Sequence, residues 1–256
     1  MKSFIVGNWK MNFSVGESSV YLHKLSQRIR AYRDIEVVVA PSFLALQPLS
    51  LQIDRKKMRL AAQTANARDF GPYTGEVSCT QLRGIVDYCL VGHSDRRYLF
   101  HESDKEIRAT VAAAIRNQIR PILCLGETAT EKTFGETHDV LRDQLLGGLS
   151  EVSQEDLDKV VLAYDPVWAI STTTDAHLAS PDEVGENVKF LRQVLADTYG
   201  KDIAEKMSIL YGGSVNPSNA GAYLTIPGVN GLIMSNASLV ADQFVEIVEI
   251  AKRVQS

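Results

Sequence analysis

The chain has 256 residues, 45% of them hydrophobic, and a formal net charge of −4. That is enough apolar material for one large core or two small ones. The interspersed charges leave no basic stripe of the kind that holds nucleic acid, and no apolar run is long enough for a membrane span.

The leading MKSFIVGNWKMN is too short an apolar stretch for a signal peptide and ends in polar residues. Cys79, Cys89 and Cys124 are an odd number without CxxC spacing. They predict neither a disulfide framework nor a zinc site, and they fit a reducing cytoplasm.

Short apolar runs recur along the chain: FIVGNWK, then EVVVAP at 36, MRLAAQ at 58, YCLVGH at 88, RPILCLGE at 120, VVLAYDP at 160, SILYGG at 208 and NGLIMS at 230. They are nearly continuous rather than alternating, as in parallel strands covered on both faces. Helical patterns lie between them. Ile107, Val111 and Ile115 repeat after Ser103 and Asp104. Val184, Val188, Leu191 and Leu195 share one helical face behind Ser180 and Pro181, an N-cap and a first-turn proline. Phe244, Ile247, Val248 and Ala251 make the last helix amphipathic.

No linker or low-complexity segment divides residues 1–256. The predicted fold class is therefore α/β, a single-domain parallel (β/α)₈ barrel. A doubly wound open sheet is the alternative, but its glycine fingerprint is missing after the first strand, which ends in Asn8-Trp9-Lys10.

In such barrels chemistry sits at the carboxyl ends of the strands. Read in turn, those ends carry Asn8 and Lys10, Gln63, His93, Glu127, Asp165, Gly212-Gly213-Ser214, and Ser235-Asn236. Singly, each has a plain reading: a solvated lysine, a structural histidine, an aspartate in turn chemistry before proline. Jointly, they bring a lysine, a histidine and a carboxylate to one mouth. His23, His101, His138 and His177 have no such company and are expected at the surface; Cys124 is expected in or near the barrel. The GGS run is either a turn or a set of backbone amides open to a phosphate.

VGNWKMN, YTGEVS, VGHSDRR, CLGET, AYDPVWAI and LYGGSVNP, in this order from the first strand to the seventh, resemble the triosephosphate isomerase family. The resemblance implies a homodimeric (β/α)₈ barrel of glycolysis and gluconeogenesis, without metal or organic cofactor. It would interconvert dihydroxyacetone phosphate and D-glyceraldehyde 3-phosphate. It implies that Lys10, with Asn8 beside it, stabilises an enediolate, that His93 polarises the carbonyl as a neutral ring, and that Asp165 stands at the position of the proton-transferring base. Trp168 and Ile170 match the lid, and Tyr211 and Ser214 its latch. Glu127 matches the neighbour of the lid tryptophan. Ser171, Ser214, Ser235 and Asn236 match the phosphate grip. Thr74, Gly75 and Glu76 match the loop that enters the other subunit.

Several positions depart from the family pattern. The base is usually glutamate, and one methylene fewer withdraws the carboxylate by about 1.5 Å. Asp95 also replaces a glutamate. Ser171, Thr173 and Ser235-Asn236 stand where glycines are usual, and Asn236 is expected to take up the left-handed backbone that glycine would supply. The lid is about three residues longer, judged from Asp165 to Pro181. Three readings follow: a slower triosephosphate isomerase, a paralogue for another short phosphorylated aldose–ketose pair, or an impaired barrel kept for binding.

Overall fold

Eight parallel strands form a closed barrel in sequence order, β1 pairing with both β2 and β8. They are β1 (Ser3–Asn8), β2 (Ile35–Ala40), β3 (Arg59–Ala62), β4 (Tyr88–Val91), β5 (Arg120–Leu125), β6 (Val161–Tyr164), β7 (Ser208–Gly212) and β8 (Gly231–Met234). All eight apolar runs thus become strands. The computed structural model describes residues 2–169 and 178–255. Ile170, Ser171, Thr173 and His177 lie outside the described residues.

The helices in chain order are α1 (Val15–Arg28), α2 (Phe43–Gln52), α3 (Cys79–Leu82), α4 (Ser94–Leu99), α5 (Asp104–Arg116), α6 (Ala129–Thr133), α7 (Thr137–Leu149), α8 (Pro181–Tyr199), α9 (Lys201–Lys206), α10 (Ala220–Leu224) and α11 (Ala241–Gln255). Their starts are written locally. Ser14, Ser103 and Ser180 each accept the amide three residues on, and the glutamate there reaches back to the serine amide. Such a cap stabilises a helix by about 1 kcal/mol. Helix α8 buries Val184, Val188, Leu191 and Leu195, and α11 buries Phe244, Ile247, Val248 and Ala251. On α5 the buried face runs through Ile107, Thr110, Val111 and Ala114, leaving Ile115 half-buried. Two successive four-residue steps, from Ile107 through Val111 to Ile115, drift off a 3.6-residue face.

Alternation along the strands sorts the core into two layers. Phe4, Val6, Val38, Ala40, Ala61, Leu90, Ile122, Cys124, Val161, Ala163, Leu210 and Ile233 fill the barrel interior. Ile5, Val37, Val39, Leu60, Leu123 and Leu162 face outward into the larger cluster beneath the helices. The same two-residue step, carried once more past the last interior apolar side chain, lands on Asn8, Gln63, Asp165, Gly212 and Ser235. The barrel's own register therefore points these residues into its carboxyl-terminal mouth.

Candidate active site

Asn8, Lys10, His93, Asp165, Gly213 and Ser235 line one cavity at that mouth. Lys10, just past β1, has a φ of 50°, rare for a residue with a side chain. Two contacts fix it there: its amide donates to Asn8 Oδ1 at 3.1 Å, and Gln63 Nε2 donates to its carbonyl at 2.8 Å. Such backbone is held only where its surroundings over-determine it. The ammonium reaches Asp95 Oδ2 at 3.0 Å.

His93 is the N-cap of α4, and the Asp95 amide donates to its Nδ1 at 3.1 Å. A ring nitrogen that accepts carries no proton, so the neutral ring bears its hydrogen on Nε2. That nitrogen faces Asp165, with Oδ2 3.6 Å away. The helix start thus sets the tautomer and aims an N–H into the cavity.

Asp165 follows β6 and is buried. Its amide donates to the Leu125 carbonyl at 2.7 Å. Burial raises its carboxyl above the usual range. His93 and Lys10 offset part of that rise, and Asp95 adds to it. Two glycines make room for it. A Cβ on Gly126 would lie 2.1 Å from the Asp165 carbonyl oxygen, and one on Gly212 only 2.6 Å from Asp165 Oδ1.

Beside the cavity, Trp168 donates from Nε1 to Glu127 Oε1 at 2.7 Å, and Tyr164 donates to the same oxygen at 3.3 Å. Glu127 is fully buried, which raises its carboxyl despite those donors. The Lys132 ammonium lies 3.2 Å from the centre of the Trp168 ring and pairs with Glu183 at 2.7 Å. One lysine thereby ties the segment before residue 170 to the start of α8 beyond residue 177. The Ser214 amide and hydroxyl both donate to the Ala169 carbonyl at 2.9 Å. The amide expected to face phosphate is engaged here with the Ala169 carbonyl. Tyr211 is buried, its ring 4.3 Å from that of Tyr223.

One expectation is overturned. Asn236 is exposed and opens a short 3₁₀ helix, Asn236–Leu239, and it is not among the positive-φ residues. Both the amide and the hydroxyl of Ser238 donate to the Ser235 carbonyl, which commits this stretch to a right-handed turn. Thr74, Gly75 and Glu76 stand on a separate exposed loop. Gln63, Lys132 and Gly212 matter more than their residue types suggest. The strand-end step marks Gln63 and Gly212, whereas nothing in the sequence marks Lys132.

A family model described as triosephosphate isomerase matches residues 3–251. The chain belongs to the triosephosphate isomerase family. It is 41% identical to the triosephosphate isomerase of Chlamydia trachomatis serovar L2 over 250 residues, covering 97% of this chain and 89% of that one. The triosephosphate isomerase of Flavobacterium johnsoniae is 36% identical over 248 residues, covering 96% and 98%. That of Chloroherpeton thalassium is 38% identical over 253 residues, covering 98% and 99%. Among the described residues of this triosephosphate isomerase family member, no helix is long and apolar enough to cross a membrane.

Proposed function

We propose that the cavity lined by Lys10, His93 and Asp165 performs the family's aldose–ketose isomerisation by moving one proton between adjacent carbons. The chain is a triosephosphate isomerase, so the pair is dihydroxyacetone phosphate and D-glyceraldehyde 3-phosphate. Asp165 removes the proton from the carbon beside the carbonyl, and the electron pair moves onto oxygen as an enediolate. The His93 Nε2–H donates to that oxygen, and the Lys10 ammonium balances its charge. The proton then returns from Asp165 to the neighbouring carbon, so the reaction needs no outside oxidant or reductant.

The observation that carries this reading is a buried carboxylate 3.6 Å from an imidazole nitrogen whose proton is fixed by a helix amide, with a lysine in the same cavity. Burial raises the affinity of Asp165 for a proton, which suits a base. Trp168, Glu127, Tyr211 and Ser214 hold the foot of a lid that excludes water, to which Ile170 and Ser171 belong by resemblance. Ser235 and the Gly213 backbone border the phosphate end.

The shorter base makes the enzyme slow. A coupled assay with glyceraldehyde 3-phosphate compares the natural chain with Asp165→Glu and Asp165→Ala. Activity is measurable in the natural chain, rises with glutamate and is lost with alanine. No activity in either the natural chain or the glutamate variant would overturn the assignment.

The working unit is a homodimer through the Thr74–Gly75–Glu76 loop. In support, Met11 and Phe70 are 97% and 87% exposed, apolar surface that a second subunit would cover. Light scattering is expected to give twice the chain mass, and a monomer at micromolar concentration would refute this. Buried, unpaired Cys79, Cys89 and Cys124 support residence in a reducing cytoplasm.

A further inference from the structure

The two-residue step that builds the catalytic mouth also runs the other way. One such step before interior apolar side chains Phe4, Val38, Ala61 and Ile122, it lands on Lys2, Glu36, Arg59 and Arg120 at the amino-terminal mouth of the barrel. There they line a cavity of about 600 Å³ with Arg55, Arg83 and Asp87. Its five cationic side chains face two carboxylates, an excess of three positive charges in a chain whose net charge is −4.

The carboxylates are already fully engaged. Glu36 takes Lys2 at 2.7 Å on one oxygen and Arg59 Nε at 3.1 Å on the other. Asp87 takes Arg55 at 2.7 Å and Arg59 at 3.3 Å. Arg120 and Arg83 have no carboxylate partner among the described residues. The Arg120 guanidinium lies 5.8 Å from the Phe4 ring centre and 5.5 Å from that of Tyr88. It donates to the Lys159 carbonyl at 3.1 Å, and to the Asp158 carbonyl and the Tyr88 hydroxyl, both at 3.4 Å. It is thus held in one orientation before any ligand arrives. Arg83 is exposed, and its side chain makes no hydrogen bond or ion pair among the described residues. Arg59 Nη2 likewise has no partner among the described residues.

A group of guanidiniums with spare N–H donors, partly pre-ordered by ring faces, matches the tetrahedral oxygens of phosphate. From this geometry we infer that the amino-terminal mouth is a second anion site. Its ligand is a compact phosphorylated molecule with about three negative charges, bound at the far end of the barrel from the substrate. Pyrophosphate is the minimal probe.

Calorimetry with pyrophosphate, with the catalytic mouth saturated by phosphoglycolate, tests this directly. One equivalent is expected to bind, with an affinity that falls as salt rises, because the cavity is open to solvent. Arg83→Glu places a negative charge where no side-chain hydrogen bond or ion pair among the described residues is lost. It should weaken pyrophosphate by about tenfold or more and leave kcat and phosphoglycolate affinity unchanged, which also shows that the variant is folded. Absence of pyrophosphate binding would overturn the inference. Binding displaced by phosphoglycolate, or undiminished in R83E, would do the same.

Discussion

Replacing Gly212 with alanine tests how the base is positioned. Gly212 ends β7, and its backbone does not need glycine's conformational freedom, because it is not among the positive-φ glycines. An added Cβ would, however, sit 2.6 Å from Asp165 Oδ1, 2.9 Å from its Cγ and 3.0 Å from Ile233 Cγ2. Carbon atoms settle at about 3.5–4.0 Å, so the carboxylate must retreat by roughly 0.6–1 Å. A displacement near 1 Å costs about 10²-fold in rate. Gly212→Ala is therefore expected to lower kcat by about ten- to a hundredfold, with a much smaller change in KM and an intact fold. The coupled assay reads the rate, and thermal melting reads the fold. Gly147→Ala is the control, since nothing lies within 4 Å of a Cβ there. It should leave kcat alone and stabilise α7 by about 0.5–1 kcal/mol. The test extends to Asp165→Glu, whose longer arm carries the carboxyl past Gly212. Alanine at 212 should then cost less, giving a non-zero coupling in the four-enzyme cycle. A kcat for G212A within about threefold of the natural chain would refute the positioning argument, and so would strict additivity of the two changes.

The raised carboxyl of Asp165 makes two further predictions. As the proposed base, Asp165 works only when ionised, so kcat/KM should fall on acidification at a pH above the usual carboxylate range; an acid limb at or below that range would contradict the burial argument. Between its unfolded and folded pKa the native state holds the extra proton, so stability declines as pH rises through that window. Asp165→Asn should therefore melt higher than the natural chain at neutral pH. The gain should vanish in acid, where the natural carboxyl is also neutral; an equal or lower melting temperature at pH 7 would sink the idea. Lys132→Met removes the cation over Trp168 and should weaken phosphoglycolate about threefold, the equivalent of roughly 0.5–1 kcal/mol. Unchanged binding would show that this lysine does not steady the lid's foot.

The barrel was legible because each of its strands is a short, nearly unbroken apolar run, a pattern that only a covered parallel sheet requires. The helix starts were legible for an equally local reason, as Ser180, Pro181 and Glu183 form a complete cap within four residues. The site was legible as residue types at strand ends, since Asn8, Asp165 and Ser235 each follow an interior apolar residue by two. What the sequence hid were relations made through backbone and space. The Asp95 amide that sets the His93 tautomer has no signature, because every residue but proline carries that group. The left-handed residue was expected at Asn236 on propensity. Within the site Lys10 adopts it instead, with Asn8 and Gln63 binding its amide and carbonyl from both sides. Lys132 reaches Trp168 and Glu183 across 36 and 51 positions, distances that no local pattern records.

The departures from the family pattern can now be separated by what each alters. Each short carboxylate has a charged or polar partner: Lys10 contacts Asp95 at 3.0 Å, and Asp165 Oδ2 lies 3.6 Å from His93 Nε2. Reach is what differs. A short base buried against Gly212 keeps its field but ends about one bond sooner than glutamate would. Stabilisation of the enediolate by Lys10 and His93 should therefore be close to complete, while the proton must travel farther. Such an enzyme binds an enediolate mimic such as phosphoglycolate nearly as well as its glutamate variant does, yet turns over more slowly. Tight binding with a low kcat would place the deficit in proton transfer. Weak binding with a low kcat would place it in the altered phosphate grip at Ser171 and Ser235, and the two measurements together decide between them.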